Sequence, residues 1–487
     1  MYDVDFVDRD RELAELTSLA DGGRPALALL FGRRGVGKTY LLDQLARHRR
    51  SFYYLAADTT GALNRRELLG ELSAFHGRDI DPEDFPTWRA VFRLLLELTG
   101  EEPLLVVLDE FQYLLGGEDD VASQLVAVWD RELEGRRLVL VLCGSEVGTM
   151  ERLQSGGSPL YGRIDWAARL RPFDYFDAAR MLPRRGPRER AVAYGVFGGT
   201  PRFLSAVRPG DDLSERIRRA MLSARGEVHL QLGTLIQQEK GIRDPGDYQA
   251  VLSAIASGRT LTHEIAAVAG LHERQHVVRR ALETLESLLL VRRERNFRSS
   301  QRTPWRNRIA DNAVAFWYRF VQPQRARLDR GEVDEIWTAE VEPRMNDYMG
   351  WSVFEGIVAE GFLRHHERWG LPAPREWARW EGQDRNRRAI EIDIAAELDD
   401  GRVLTGEVKW STRPVDTDLH FELRRDLQDL AASGQAWAHE ALDPARSAGH
   451  LYVSAGGFTP HFQARAKEEG NVRLIDLEML YEGVETP

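Results

Sequence analysis

Two short stretches hold residues whose types and spacing could do chemistry. The first runs Gly32, Arg33, Arg34, Gly35, Val36, Gly37, Lys38, Thr39 and fits GxxxxGK[ST] at every fixed position. It lies between an apolar run at 26–31, the length of a buried strand, and a leucine-striped segment that opens at Tyr40. Glycines let a backbone curl round a phosphate without Cβ clashes, and the first N–H groups of a following helix are unpaired donors for an anion. Lys38 would set a point charge between β- and γ-phosphate, and Thr39 would offer its hydroxyl to Mg²⁺. Arg33, Arg34, Val36 and Tyr40 belong to the same nucleotide-contacting group. The run LLVVLDE ends on two acids: Asp109 to hold Mg²⁺ through water, Glu110 to polarise the attacking water. Ser145 ends the run LVLVLCGS, where a polar side chain can sense the γ-phosphate.

The second stretch is GEVKWS at 406–411. Among 66 basic residues only four are lysine: Lys38, Lys240, Lys409 and Lys467. A chain that uses arginine for nearly every cation keeps lysine at 409. Glu407 stands two residues earlier, on the same face of an extended segment. Asp393 lies in the preceding run AIEIDIAAEL, across a DDG turn, so a hairpin would bring Asp393 and Glu407 together. Two carboxylates can share a divalent cation, and oxygen ligands suit Mg²⁺ or Mn²⁺. Lys409 would then orient a water or help to deprotonate it, and stabilise charge on a phosphodiester oxygen. Arginine keeps its proton and spreads its donors in a wide fork, which gives a reason for the lysine. Glu355, on a helix expected over 348–365, is the third carboxylate. Glu391 shares a face with Asp393 and is either a supporting ligand or a solvated acid. His365 and His366 read as surface residues.

The chain around these stretches has 487 residues, 43% apolar and 29% charged, which implies two to four globular domains. Mean hydropathy is -0.41. No apolar run approaches the length of a membrane span, and the polar, acidic start is unlike a signal peptide, so no membrane partner and a cytoplasmic location are expected. The single cysteine, Cys143, excludes intrachain disulfides and cysteine-rich metal sites. A net charge of -11 excludes a uniformly basic nucleic-acid binder but not a local patch. Residues 251–310 supply one: eleven arginines against five glutamates and no aspartate, a charge of +6.

The elements that must position the two sites alternate along the chain. A helix is expected over 9–19 and further helices over 64–75 and 86–98. Strands are expected at 26–31, 51–58, 103–110 and 138–145. Continuous apolar strands between helices predict a parallel sheet covered on both faces. Residues 174–239 read as mainly helical. Within 244–301, three helical patterns (249–256, 262–269, 272–288) closed by the basic run LVRRERNF predict a winged helix-turn-helix. Its polar face would present His276, Arg279 and Arg280. Three uses of that basic module stay open: nucleic-acid binding, a lid, or docking on the acidic C-terminal half. The aromatic run at 309–321 is expected to pack a core, and the charged 322–337 to join the halves. The last unit alternates strands and helices: 389–398, 402–410, a helix over 419–436, then a strand, a helix and a short strand. The segment 376–388 reads as a loop whose arginines either grip a DNA backbone or keep the loop soluble.

The pieces FVDRDRELAEL, LLFGRRGVGKT, LLVVLDEFQYL, VLVLCGS, SPLYGR and FGGTPRFL resemble the archaeal-type ATPases of the AAA+/STAND group of P-loop ATPases. The resemblance implies that the first helix packs beside the adenine, that Arg163 is an arginine aimed at phosphate, and that Gly199–Pro201 is a GxP element with Arg202 as a sensor charge. Surface salt bridging for Arg163 and a structural turn at 201–202 stay open beside those roles. EIDIAAE, GEVKW and FEGIVAEGF together resemble the PD-(D/E)xK nuclease superfamily. The implied fold is α/β: a P-loop AAA+-like ATPase core (1–170), a helical lid (171–243), a winged helix-turn-helix (244–322), a linker (323–344) and a restriction-endonuclease-like α/β domain (345–487). The implied activity is ATP binding and hydrolysis in a protein that acts on DNA, with ATP, Mg²⁺ and, at the C-terminal site, Mn²⁺ as cofactors and with self-assembly expected. A nucleotide-switched scaffold or transcription regulator with a catalytically silent C-terminal fold is the rival.

Overall fold

The structure, a computed structural model, describes residues 7–99, 103–116, 120–133, 135–239, 242, 244–300 and 303–484. The chain forms two compact units. One is built from the residues up to Pro172 together with Glu239, the other from 173–238 and from Ile242 onward.

The first unit is a five-stranded parallel sheet. Its strands are β1 (Ala26–Phe31), β2 (Ser51–Leu55), β3 (Leu104–Asp109), β4 (Leu138–Gly144) and β5 (Trp166–Arg169), in the order β2-β3-β4-β1-β5. Every residue of β1, β3 and β4 is buried, the pattern expected where helices cover both faces. Leu16 and Ala20 of the first helix and Leu41, Leu42 and Leu45 of the helix Lys38–Ala46 close one core over Ala28, Val107, Val141 and Cys143. Short polar side chains start the covering helices: Thr60 accepts from Leu63 N at 3.3 Å, Thr87 from Ala90 N at 3.3 Å, and Asp120 from Ser123 N at 3.0 Å.

The second unit holds the three helices Pro245–Ala256, Thr262–Val268 and Gln275–Ser287. They are closed by an antiparallel hairpin of β6 (Val291–Glu294) and β7 (Arg306–Ile309). This is the winged-helix arrangement read from the sequence. Its C-terminal half is a mixed five-stranded sheet, with β8 (Pro374–Gln383), β9 (Ala389–Leu398), β10 (Val403–Lys409), β11 (Ser447–Ser454) and β12 (Val472–Asp476) in the order β12-β11-β10-β9-β8. β9 runs antiparallel to β8 and β10, whereas β10, β11 and β12 are mutually parallel.

Residues 323–344 carry helical structure: Arg325–Leu328 and Val333–Ile336 are helical, and each of two wide five-residue turns, Trp317–Val321 and Trp337–Val341, runs directly into a turn containing proline. Proline lacks the N–H that would continue a helix, so the backbone widens before it and goes on. Three expectations differ from what the structure shows. Most of the expected loop at 376–388 is edge strand β8, because its charged residues pair with one another and with β9 instead of seeking water. The helix expected over 419–436 breaks at Ser433–Gly434, where Gly434 has φ 87°, and resumes as Ala436–Leu442. His365 is buried against the Tyr175 hydroxyl at 3.1 Å, not on the surface.

The basic segment after β6 is spent inside the protein. Phe297 is 1% exposed and packs edge-on to Trp437 at 5.6 Å, in the core of the C-terminal sheet. Phe297 N donates to Arg379 O at 2.9 Å, and Arg298 bridges Glu397 at 2.6 Å and Glu440 at 2.9 Å. Of the three uses left open for the basic module, docking on the acidic C-terminal half holds for this segment. His276, Arg279 and Arg280 are exposed on the helix Gln275–Ser287.

Candidate functional sites

The phosphate loop follows β1 without an intervening residue. A Cβ on Gly32 would stand 2.4 Å from Leu170 O, so the loop closes on the segment after β5 only with glycine there. Gly35 and Gly37 take φ 83° and 98°, which a side chain would resist. Lys38 is buried and donates to Gly32 O at 2.7 Å and Arg33 O at 3.2 Å, which turns its ammonium into the curl of the loop. Val36 is buried beneath the loop, Arg33 is buried, and Arg34, Thr39 and Tyr40 are exposed. Arg34 donates to the Tyr113 hydroxyl at 3.0 Å.

The sheet order brings the acids to this loop. β4 lies between β1 and β3, and Gly32 N donates to Gly144 O at 3.3 Å, so Ser145 begins beside the loop. Asp109 is buried, accepts from Glu110 N at 2.8 Å and receives the Tyr53 hydroxyl. That hydroxyl also meets Thr39, so both residues expected to serve Mg²⁺ surround one phenol. Burial and the Asp109 charge drive the Tyr53 pKa upward. Burial, then the Asp109 charge, lifts Cys143 as well. Glu110 takes a left-handed backbone, φ 52°, uncommon for a side chain of this kind. Its carboxylate accepts from Ser145 Oγ at 2.6 Å and from Gln112 Nε2. Glu239 also belongs to this unit, beside Arg33, Arg34 and Glu146, and burial holds its carboxyl up.

Arg163 lies elsewhere. Two residues later, Asp165 N donates to Leu27 O at 2.8 Å and its carboxylate accepts from Leu27 N at 2.9 Å. Leu27 is near the start of β1 and the phosphate loop follows its end, so Arg163 sits at the opposite end of the strands. Asp130 holds it through Nε at 2.8 Å and Nη2 at 2.7 Å. Arg202 belongs to the second unit, exposed on the short helix Pro201–Leu204. Tyr53 and Gln112, absent from the sequence reading, are polar residues in or after apolar strands, a signal too common to single them out.

The second site forms at the β9–β10 hairpin. Gly406 pairs with Ile394, which sets Asp393 beside Glu407. Asp393 accepts from Val408 N at 3.0 Å and from Lys409 Nζ at 3.3 Å, and Lys409 reaches Glu407 at 2.8 Å. The three residues therefore converge. Burial, then the Asp393 charge, pushes Glu407 well above the usual carboxylate range. Burial alone would lower Lys409, but Glu407 and Asp393 outweigh it and hold the pKa up. The ammonium of Lys409 is thereby placed between the two carboxylates, within reach of both.

Glu355 enters from the helix Phe354–His365, its pKa pushed up to about 7 by burial and, less, by Asp393 and Glu294. Oxygens of Glu355, Glu391 and Asp393 lie within 4.8 Å of one another. Glu391, not Glu407, joins that trio. All its donors are hard oxygens, which fits Mg²⁺ or Mn²⁺. Arg379, buried, pairs with Glu391 and stands 3.5 Å from Glu355. Arg292, Arg295, Trp305 and Glu294, from the wing and the turn that follows it, wall a cavity of about 560 Å³ that Glu355, Arg379 and Asp393 also line.

A parallel sheet with β4 between β1 and β3, a phosphate loop after β1 and acids at the end of β3 make the arrangement of a P-loop ATPase domain. Residues 6–207 match a family described as an ATPase domain predominantly from Archaea. Residues 317–420 match a family of archaeal bacterial proteins of unknown function, and that span includes Glu355, Asp393, Glu407 and Lys409. The chain is 27% identical over 415 residues, 83% of its length and 87% of the relative's, to an uncharacterized protein of Methanocaldococcus jannaschii. Among solved structures it is similar to a Walker-type ATPase of Pyrococcus abyssi (23% identity, 65% of this chain and 96% of that one, TM-score 0.49). It is also similar to the ORC2 protein of Aeropyrum pernix (17% identity, 69% and 97%, TM-score 0.41). Likeness at these scores says nothing of activity. Among the described residues no helix is long and apolar enough to cross a membrane.

Proposed function

We propose that the chain is an ATP-hydrolysing protein that acts on DNA, with a metal-dependent, nuclease-like site of the PD-(D/E)xK kind in its second unit. One observation carries the reading: Lys409, Asp393 and Glu407 converge within 3.3 Å contacts, and Glu355 faces the same carboxylate. Hydrolysis of a phosphodiester adds a water oxygen to phosphorus and releases one ester oxygen, which leaves with a proton. Asp393, Glu355 and Glu391 would hold Mg²⁺ or Mn²⁺, which supplies Lewis-acid stabilisation of charge on phosphate. Lys409 would set a compact positive charge beside the carboxylates, where it can orient a water or help to deprotonate it. At the phosphate loop, Lys38 would meet the β- and γ-phosphates, Thr39 and Asp109 would hold Mg²⁺, and Glu110 would orient the attacking water once released from Ser145 and Gln112. The exposed Arg279 and Arg280 suit a DNA backbone. An arginine reaching the nucleotide from position 163 would have to come from a neighbouring copy, which is the reason to expect self-assembly.

A second reading has its own support. The Arg379 guanidinium pairs with Glu391 and faces Glu355, inside the acid cluster where a cation would compete with it. This favours a nucleotide-switched scaffold whose C-terminal fold binds without cutting. Purified protein is to be titrated with ATP and Mg²⁺ or Mn²⁺ over linear, circular, single-stranded and branched DNA, reading phosphate release and strand cuts together. Metal-dependent cuts support the first reading. Phosphate release with no cut on any DNA form leaves the second.

A further inference from the structure

We infer that Arg188 is a positioning residue for the C-terminal acidic site, and that residues 174–194 thereby have a physical grip on that site. The inference rests on the metal-dependent reading above. Arg188 lies in the helix Pro187–Phe197, within the ATPase family match but inside the second unit. Its Nη1 donates to Ser411 O at 3.0 Å and approaches Ala455 O at 3.5 Å. Both acceptors follow strand ends, that of β10, which carries Glu407 and Lys409, and that of its neighbour β11. The guanidinium carbon also lies 4.4 Å from the centre of the Trp410 ring. Trp410 is the residue after Lys409, and its ring packs edge-on to Phe354 at 5.2 Å. Phe354 is the residue before Glu355. One side chain therefore presses on the residue next to Lys409 and, through it, on the residue next to Glu355.

The other end of the Glu355 helix is held from the same stretch. Tyr175 N donates to Glu360 at 2.9 Å, the Tyr194 hydroxyl donates to Glu360 at 3.0 Å, and Arg364 bridges Asp174 at 2.8 Å and Asp177 at 2.6 Å. Residues 174–194 thus bracket the helix at Phe354 and at Glu360–Arg364. A stacked guanidinium that also donates to a main-chain carbonyl has fixed geometry, which suits placing a strand end to a fraction of an ångström. Metal affinity is sensitive to such support: loss of an orienting partner typically costs 10–100-fold.

The experiment compares wild type, Arg188→Ala, Arg188→Lys and Trp410→Leu as full chains. Mn²⁺ binding is measured without nucleotide, and cleavage of labelled single- and double-stranded DNA is measured against Mn²⁺ concentration. Arg188→Ala is expected to raise half-saturating Mn²⁺ by roughly tenfold with ATP hydrolysis unchanged, Trp410→Leu to do the same, and Arg188→Lys to recover part of the loss. Unchanged Mn²⁺ binding and unchanged half-saturation in folded Arg188→Ala and Trp410→Leu overturn the inference. A wild type that binds Mn²⁺ but cuts nothing removes the nuclease reading alone, since the shift in binding still tests Arg188. A wild type that binds no Mn²⁺ without nucleotide removes both.

Discussion

The two sites are built differently. The phosphate loop is local: eight consecutive residues supply the curl, the donors and the lysine, and the parallel sheet adds two strand ends. The acidic site is assembled from a helix, three strands and a wing, and most of its members are held by groups far away in the chain. Glu355 lies 38 residues before Asp393, and Arg379 and the wing arginines join from other segments. A site made from one turn can be read from spacing. A site made from many segments shows only its hairpin.

The sharpest way to break the comparison is to remove each lysine. Lys38→Ala is expected to lower ATP hydrolysis by on the order of 10²–10³-fold, the usual cost of deleting one charge-stabilising donor, with the fold retained. Phosphate release at the wild-type rate would mean that the loop is not the nucleotide site. Lys409→Ala is expected to lower metal-dependent cutting by a similar factor and to leave ATP hydrolysis alone. If both activities fell together in Lys409→Ala, the two sites would not be separable in the way drawn here.

The sequence revealed the first site almost whole for a physical reason. Glycine at 32, 35 and 37 and lysine at 38 are required by local backbone and charge, and local requirements leave local patterns. At the second site the hairpin pair Asp393–Glu407 and its lysine were legible because antiparallel pairing fixes which residues meet. What stayed hidden was long-range. Arg379 reads as a solvated loop arginine until β8 pairs with β9. The run VRRERNFR leaves DNA binding, a lid and docking on the acidic half open until Phe297 and Arg298 are seen seated on the C-terminal sheet. Glu360 looks like an ordinary helix acid until Tyr175 and Tyr194 close over it. Charge counts along a chain do not tell a patch facing water from one facing its own acidic partner.

That docking can be weighed directly. Phe297→Ala removes a ring 1% exposed that packs on Trp437, and is expected to cost about 3–5 kcal/mol of the second unit's stability. Urea unfolding followed by tryptophan fluorescence checks it. A change below about 1 kcal/mol would show that the wing rests on the sheet without supporting it. Phe297→Leu, which keeps most of the buried apolar volume, is expected to recover most of the loss.

The smallest expected effect concerns the pH response of the Glu355 helix. Burial pushes Glu360 up to about 7, with the Tyr175 amide and Tyr194 hydroxyl hydrogen bonds pulling the other way. In the unfolded chain the same carboxyl titrates near its ordinary value of 4.5. Between those two values the folded state keeps a proton that the unfolded state has lost, so stability from this group is full below about 4.5 and falls as pH rises toward 7. The total is at most about 3 kcal/mol, and each kcal/mol moves the melting temperature by roughly 1–2 °C in a unit of this size. Glu360→Gln cannot ionise, yet its carbonyl still accepts from the Tyr175 amide or the Tyr194 hydroxyl. Wild type is therefore expected to lose several degrees more than the variant between pH 5 and pH 8, in the melting transition that nucleotide leaves in place. The difference between the two slopes isolates this carboxyl from every other titrating group. Parallel slopes would mean that Glu360 is ionised in the fold throughout, and that water or a cation reaches the helix which carries Glu355.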